Sequence, residues 1–222
     1  MVRGLFVTGT DTNVGKTVVS AALLHRYRGR LPLRYWKPIQ TGIEQDDDTA
    51  SVARLGSCAD GELFTSGVRL ERPVSPHLAA RLSGRRIDLQ PLVDCVHAEP
   101  ASSRFIVEGA GGALVPVNDQ DLMADLMIGL ALPALIVARS SLGTINHTLL
   151  TTEALRRRSI QIAGVVLVGE PNADNRDAIE RYGGVVVLGE MPRFEPLTSE
   201  ALAAWSVDGL DRDGRLLEIC GR

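Results

Sequence analysis

Cysteine is scarce in this chain. Cys58, Cys95 and Cys220 lie far apart, are odd in number and form no Cys-x-x-Cys pair. That spacing suggests neither a disulfide framework nor a zinc site, and it fits a reducing, cytoplasmic setting. No charge of one sign dominates. The formal net charge over 222 residues is −3, with acids and bases interspersed, which leaves no footprint for nucleic acid or for an anionic membrane. Long apolar runs are also missing: the longest, residues 126–138, is broken by Pro133 and is too short to span a bilayer. The N-terminus runs directly into a short apolar segment, so no secretory leader is expected. There is no repeat, no low-complexity tract and no linker. With 45% hydrophobic residues, the chain is expected to fold as one globular domain over residues 1–222. Roughly the last fifteen residues are its least certain part.

What is present is an alternation of apolar strands with amphipathic helices. Residues 5–7, 33–36, 105–107, 134–138, 162–168 and 185–188 are short apolar runs, predicted as buried strands. Helical periodicity is predicted over 18–27, from residue 50, and over 77–82, 89–97, 122–132, 144–158, 174–182 and 199–205. Ser75-Pro76 has the form of a cap followed by a first helical position. Strands that are apolar on both faces and separated by helices imply a three-layer α/β fold, a parallel sheet flanked by helices on both sides. In such sheets ligands bind beyond the carboxyl ends of the strands.

The segment that ties this architecture to chemistry is Leu-Phe-Val-Thr-Gly-Thr-Asp-Thr-Asn-Val-Gly-Lys-Thr, residues 5–17. It reads as strand, glycine-bounded loop and helix start, the context of a phosphate-binding loop. Backbone N–H groups of Thr12, Asn13, Val14, Gly15 and Val18 would point at an anion reinforced by the helix dipole. Lys16 would reach the β- and γ-phosphates, and the Thr17 hydroxyl would hold Mg²⁺. The strict pattern has glycine at position 10. Here that residue is Thr10 and the glycine is Gly9, so five residues separate Gly9 from Gly15.

Further candidates stand at other predicted strand ends. Lys37 precedes Pro38, which ends the second strand. A second ammonium there would stabilise charge on a transferred phosphoryl group, although spacing alone equally fits a solvated lysine. Asp46-Asp47-Asp48 opens a helix, and Glu108 follows a strand where a carboxylate without a role would be costly to bury. Both are candidate Mg²⁺ partners, since Mg²⁺ takes one or two carboxylates with phosphate oxygens and water. Which of the three aspartates matters does not follow from spacing. Gly109, Gly111 and Gly112 permit close backbone approach to a ligand. The four histidines show no ligand spacing.

Taken together, four segments resemble the dethiobiotin synthetase family: Gly9-Thr-Asp-Thr-Asn-Val-Gly-Lys-Thr17, Tyr35-Trp-Lys-Pro-Ile-Gln-Thr-Gly42, Val107-Glu-Gly-Ala-Gly-Gly112 and Leu142-Gly-Thr-Ile-Asn-His147. Their order and spacing match through about Pro192, and the wider glycine spacing is that family's form. The resemblance implies a P-loop NTPase fold and an ATP- and Mg²⁺-dependent ring closure. One amine of 7,8-diaminononanoate captures CO₂ as a carbamate, the carbamate takes the γ-phosphoryl group, and the second amine displaces phosphate to close a cyclic urea.

The resemblance also implies roles for individual residues. Lys37 would lie at the carbamate and the transferring phosphate, and Thr41 would contact substrate. Thr17, Asp48 and Glu108 would hold Mg²⁺, with Asp48 chosen because the family's aspartate directly precedes the helix. Gly109, Ala110 and Gly111 would border the nucleotide. The base would lie near Val168, Gly169, Pro192, Arg193 and Phe194. Gly143, Thr144, Ile145 and Asn146 would receive the substrate carboxylate from the other subunit of a homodimer.

Three departures stand out. Asn13 occupies a position where many members carry an acid. Val168 occupies one where many carry a base-reading asparagine. The segment after Pro192 matches weakly. A partition- or arsenite-type ATPase is the main competing class, but those relatives carry a signature lysine where this chain has Asp11. An inactive nucleotide-binding regulator is a further reading, opposed by the presence of Lys16, Thr17, Lys37 and Glu108.

Overall fold

The computed structural model describes residues 2–221. In chain order the first half comprises β1 (Gly4–Gly9), α1 (Lys16–Tyr27), β2 (Leu33–Trp36), β3 (Ile39–Thr41), α2 (Asp48–Leu55), β4 (Leu63–Phe64), β5 (Val68–Leu70), α3 (Pro76–Leu82) and α4 (Leu89–His97). The second half comprises β6 (Arg104–Gly112), α5 (Met123–Leu130), β7 (Ala134–Arg139), α6 (Thr144–Arg156), β8 (Ile162–Val168), α7 (Ala173–Gly183), β9 (Val187–Met191), α8 (Ser199–Gly209) and α9 (Arg215–Gly221).

Seven strands form one sheet in the order β4-β2-β6-β1-β7-β8-β9, and every pairing in it is parallel. β1 is buried at all six positions, as a central strand covered on both faces must be. Successive side chains alternate between faces. Phe6, Phe105 and Val107 join one apolar layer with α3, α4, α5, α6 and α7. Leu5, Val7, Tyr35 and Ile106 join the other, with α1, α2, α8 and α9. Among the described residues no helix is long and apolar enough to cross a membrane.

The structure departs from the sequence reading in several places. The Glu108-to-Gly112 stretch continues β6 rather than forming a loop after it. Its glycines lack side chains to pack, so periodicity alone does not extend the strand over them. β9 begins later than expected, because Val185 and Val186 approach the sheet as irregular chain. Asp48 is the first residue of α2, and Asp47 is its cap, accepting from the Ala50 N–H at 3.1 Å. Ser75 precedes α3 without a side-chain cap bond, its hydroxyl lying 3.1 Å from His77 Nδ1 instead. The short strands β3, β4 and β5 were not legible in periodicity. β3 and β5 pair with each other outside the main sheet.

The segment after α8 is anchored. Asp211 is 1% exposed; its Oδ2 accepts from the Tyr27 hydroxyl of α1 and from the Leu216 N–H of α9, the latter at 2.9 Å. Arg26 donates to the Asp211 carbonyl at 3.1 Å. Leu216 and Cys220 then complete the apolar layer around α1. Tyr27→Phe removes one donor from a buried carboxylate, so it is expected to cost about 1–3 kcal/mol. This would appear as a lower urea midpoint at constant slope, with nucleotide binding unchanged.

Candidate active site

The phosphate loop joins β1 to α1. Thr10 N donates to Val137 O at 3.0 Å, which pins the loop onto β7. A Cβ at Gly9 would stand 2.6 Å from the Asp11 carbonyl oxygen and 3.1 Å from Lys16 Nζ. No side chain fits there, so this position rather than position 10 carries the glycine. Gly15 caps α1 at φ 101°, a left-handed conformation that costs glycine little. Asn13 is also left-handed, at φ 53°, a region asparagine enters more readily than most residues. Lys16 Nζ donates to the Asp11 carbonyl at 3.1 Å, and Arg139, at the end of β7, donates to the Thr12 carbonyl at 3.0 Å.

Beside the loop, three elements converge. Lys37 follows β2, Glu108 lies in β6 and Asp48 opens α2. Glu108 stands in register with Val7 of β1, two residues before the loop begins. Lys37 Nζ lies 2.6 Å from Asp48 Oδ2 and 2.8 Å from Glu108 Oε1, and it also faces the Gly109 carbonyl at 3.3 Å. The Thr17 hydroxyl stands 2.7 Å from Asp48 Oδ1 and 3.0 Å from Glu108 Oε1. Lys37 and Glu108 are 3% and 1% exposed, so the cluster lies largely out of water.

Electrostatics follow from this packing. Burial opposes the charge on Lys37, but Glu108 and Asp48 outweigh it and hold the pKa above the ordinary lysine range. Burial likewise opposes the Asp48 carboxylate, and Lys37, with help from Thr17, reverses that and lowers its pKa. Lys16 feels Glu108, Asp48 and Asp11 more weakly. Burial, then repulsion from Lys37, lowers its pKa to about 8.

The oxygens of Thr17, Asp48 and Glu108 suit a hard divalent cation. Their separations of 2.7 and 3.0 Å are close to the edge of an octahedron with metal–oxygen bonds of about 2.0–2.1 Å, as Mg²⁺ requires. Among the described residues there is no cluster of three or more His, Cys, Asp or Glu side chains to hold a metal ion. Two carboxylates and a hydroxyl are the oxygens this corner offers to a cation.

These groups open into a cavity of about 760 Å³. Of the residues singled out from sequence, Thr12, Asn13, Gly15, Lys16, Thr17, Val18, Lys37, Thr41, Asp46, Asp48, Glu108, Ala110 and Gly111 line it. Val14, Gly109, Val168, Gly169, Pro192, Arg193 and Phe194 do not. Val14 is buried beneath the loop. The Val168 methyls lie 3.2 Å from where a Gly15 Cβ would be. Gly143, Thr144, Ile145 and Asn146 open α6 away from this cavity, next to a fully exposed Leu142.

Sequence reasoning missed Gln45, Ser51, Arg54, Val115, Leu197 and the Pro73-to-Pro76 turn, all of which line the cavity. It also missed Tyr35, whose hydroxyl donates to Glu108 Oε2 at 2.9 Å. One signal was available for Lys37. The chain has only two lysines among its 24 Lys and Arg residues, Lys16 and Lys37, and both line this cavity, where a compact ammonium differs from a guanidinium.

The parallel sheet, the loop at the end of its central strand and the cation-and-carboxylate cluster beside it define a P-loop nucleotide-binding protein. Solved structures share the architecture. A ParA family ATPase from Chlorobium tepidum superposes with a TM-score of 0.58 at 12% identity, covering 92% of this chain and 98% of that one. The septum site-determining protein MinD complexed with Mg-ADP, from Pyrococcus horikoshii, gives 0.57 at 15%, covering 93% and 87%. At such identity the likeness is one of fold. A family model described as "AAA domain" matches residues 3–201. In sequence the chain is 52% identical to "ATP-dependent dethiobiotin synthetase BioD" of Paramagnetospirillum magneticum, over 90% of this chain and 93% of that one. It is 46% identical to the protein of the same name from Brucella ovis, over 89% and 90%. The chain belongs to the ATP-dependent dethiobiotin synthetase family.

The Lys16 environment sets a pH dependence. A bound triphosphate favours the charged ammonium, whereas the ligand-free chain holds Lys16 with a pKa of about 8. Nucleotide affinity is therefore full below that pH and falls as pH rises through it, by up to about tenfold per unit. Titrations on either side of it should show this decline, with proton uptake on binding on the alkaline side.

Proposed function

We propose that this chain, as a single synthetase domain, closes the ureido ring of dethiobiotin from 7,8-diaminononanoate, CO₂ and ATP. The observation that carries the reading is the convergence of Lys37, Thr17, Asp48 and Glu108 at the mouth of the phosphate loop, in a chain 52% identical to a dethiobiotin synthetase. A carbamate acylates poorly until its oxygen becomes a good leaving group, and phosphorylation supplies that. Lys16 and the loop N–H groups hold the triphosphate. Lys37 adds a second positive charge where the γ-phosphoryl group meets the carbamate, stabilising charge that develops during transfer. Thr17, Asp48 and Glu108 would hold Mg²⁺, which neutralises phosphate charge when bound. Thr41, on the cavity wall, contacts substrate.

Residues 143–146 begin α6, a helix with no acid in its first turn. A helix N-terminus is a carboxylate site, and the bare Leu142 beside it suits a subunit contact. Both features support a homodimer in which this turn serves the partner's site.

The reading is tested by ADP release that requires both diaminononanoate and bicarbonate. ADP release independent of the diamine would overturn it. Lys37→Ala should lower kcat by at least about a hundredfold. It should also lower Tm at neutral pH, because two buried carboxylates lose their counter-charge. Near-normal turnover by this variant would remove Lys37 from the chemistry.

Val168 offers no hydrogen bond to a base. Losing a bidentate base contact removes about 1–3 kcal/mol of discrimination, while triphosphate contacts are blind to the base. CTP and GTP are therefore expected to support ring closure within about tenfold of ATP in kcat/KM. A preference for ATP above about a thousandfold would show that other groups read the base.

A further inference from the structure

The Glu108 carboxylate is held at both oxygens, by two residues of the same strand edge. Tyr35 lies in β2 opposite Ile106 of β6. Its side chain is fully buried on the α1 face of the sheet. Its hydroxyl donates to Glu108 Oε2 at 2.9 Å. Lys37, two residues on, reaches Oε1 of the same carboxylate at 2.8 Å. Strand alternation returns a side chain to the same face every second residue, which is why one edge supplies both grips.

The intervening backbone is tied down as well. Trp36 Nε1 donates to the Ser66 carbonyl at 2.6 Å, and Arg69 donates to the Lys37 carbonyl at 2.8 Å. The two Glu108 oxygens therefore have separate duties. Oε2 faces inward and is taken by the phenol, while Oε1 faces Thr17, Lys37 and the cavity.

We propose that Tyr35 is the positioning residue that fixes Glu108 for metal binding through Oε1 alone. Tyr35 does not line the cavity, so it acts only through Glu108. With the phenol in place the carboxylate cannot rotate to offer both oxygens to a cation, and Oε2 is not left unpaired in an apolar layer. Outer hydrogen bonds of this kind orient ligating carboxylates, and their loss typically weakens metal affinity by about 10–100-fold. The inference rests on the assignment of Glu108 as a metal ligand made above.

The test compares wild type, Tyr35→Phe and Glu108→Gln in the full chain. Mn²⁺ binding is measured by electron paramagnetic resonance in the presence of ADP, ADP binding is measured in chelator, and Tm is recorded. Tyr35→Phe removes one hydroxyl and keeps the ring, so the fold is retained. The expected result is Mn²⁺ affinity at least about tenfold weaker, unchanged ADP affinity in chelator, and kcat that recovers at high Mg²⁺. A lower Tm with unchanged Mn²⁺ affinity in Tyr35→Phe, while Glu108→Gln does weaken Mn²⁺, would reduce Tyr35 to a packing role and overturn the proposal alone. Unchanged Mn²⁺ affinity in Glu108→Gln would overturn the metal assignment and this inference with it.

Discussion

The site depends on one ammonium between two carboxylates. Lys37 holds Asp48 and Glu108 within 2.6 and 2.8 Å of its nitrogen, and Glu108, buried at 1% exposure, would be costly there without that counter-charge. Each partner comes from a different element, so the ion cluster links the end of β2, the body of β6 and the start of α2. The result is a set of oxygens facing the phosphate loop, with Thr17 joining them from α1. For Lys37 and Asp48, burial that would otherwise favour the neutral form is outweighed by the opposite charge beside each.

That cluster forms only because the sheet is parallel and ordered β2-β6-β1 at this edge. All three strands present their carboxyl ends on the same side, so residues 16, 37 and 108 become neighbours despite their separation in sequence. Glycine at position 9 lets Lys16 fold back across the loop. The ParA family ATPase and the MinD protein share this scaffold at 12% and 15% identity, and nothing in the scaffold selects a reaction. On this scaffold the chain places a particular set of side chains at the strand ends, above all Lys37 with its two acids.

Much was legible in sequence because parallel strands are continuously apolar and helices between them are periodic. The bounds of β2, β8 and α4 follow directly from that pattern. Elements lacking the pattern were not legible. β6 runs on through Gly112 because its last residues pair with β1, whose Gly9 stands opposite Gly112. α9 is a short helix whose place is set by Asp211 and Tyr27 across 184 residues of chain. β3 and β5 are three-residue strands that exist only as each other's partner.

By itself, the amino-acid sequence determined the phosphate loop, the alternation of strand and helix, and the family, because those features are local in the chain and survive without contacts. Spacing left open which aspartate of residues 46–48 faces the lysine; the family resemblance pointed to Asp48, and the packing shows why. Asp47 turns to cap α2, and Asp48, one residue on, points at Lys37 and Thr17. Tertiary structure decided that Lys37 is a buried counter-ion rather than a solvated strand-end lysine. It gave Tyr35, which reads in sequence as one more apolar strand residue, a hydrogen bond to Glu108. In each case the deciding partner lies on another strand or helix, and a carboxylate, ammonium or phenol takes its role from what packing brings within hydrogen-bond reach.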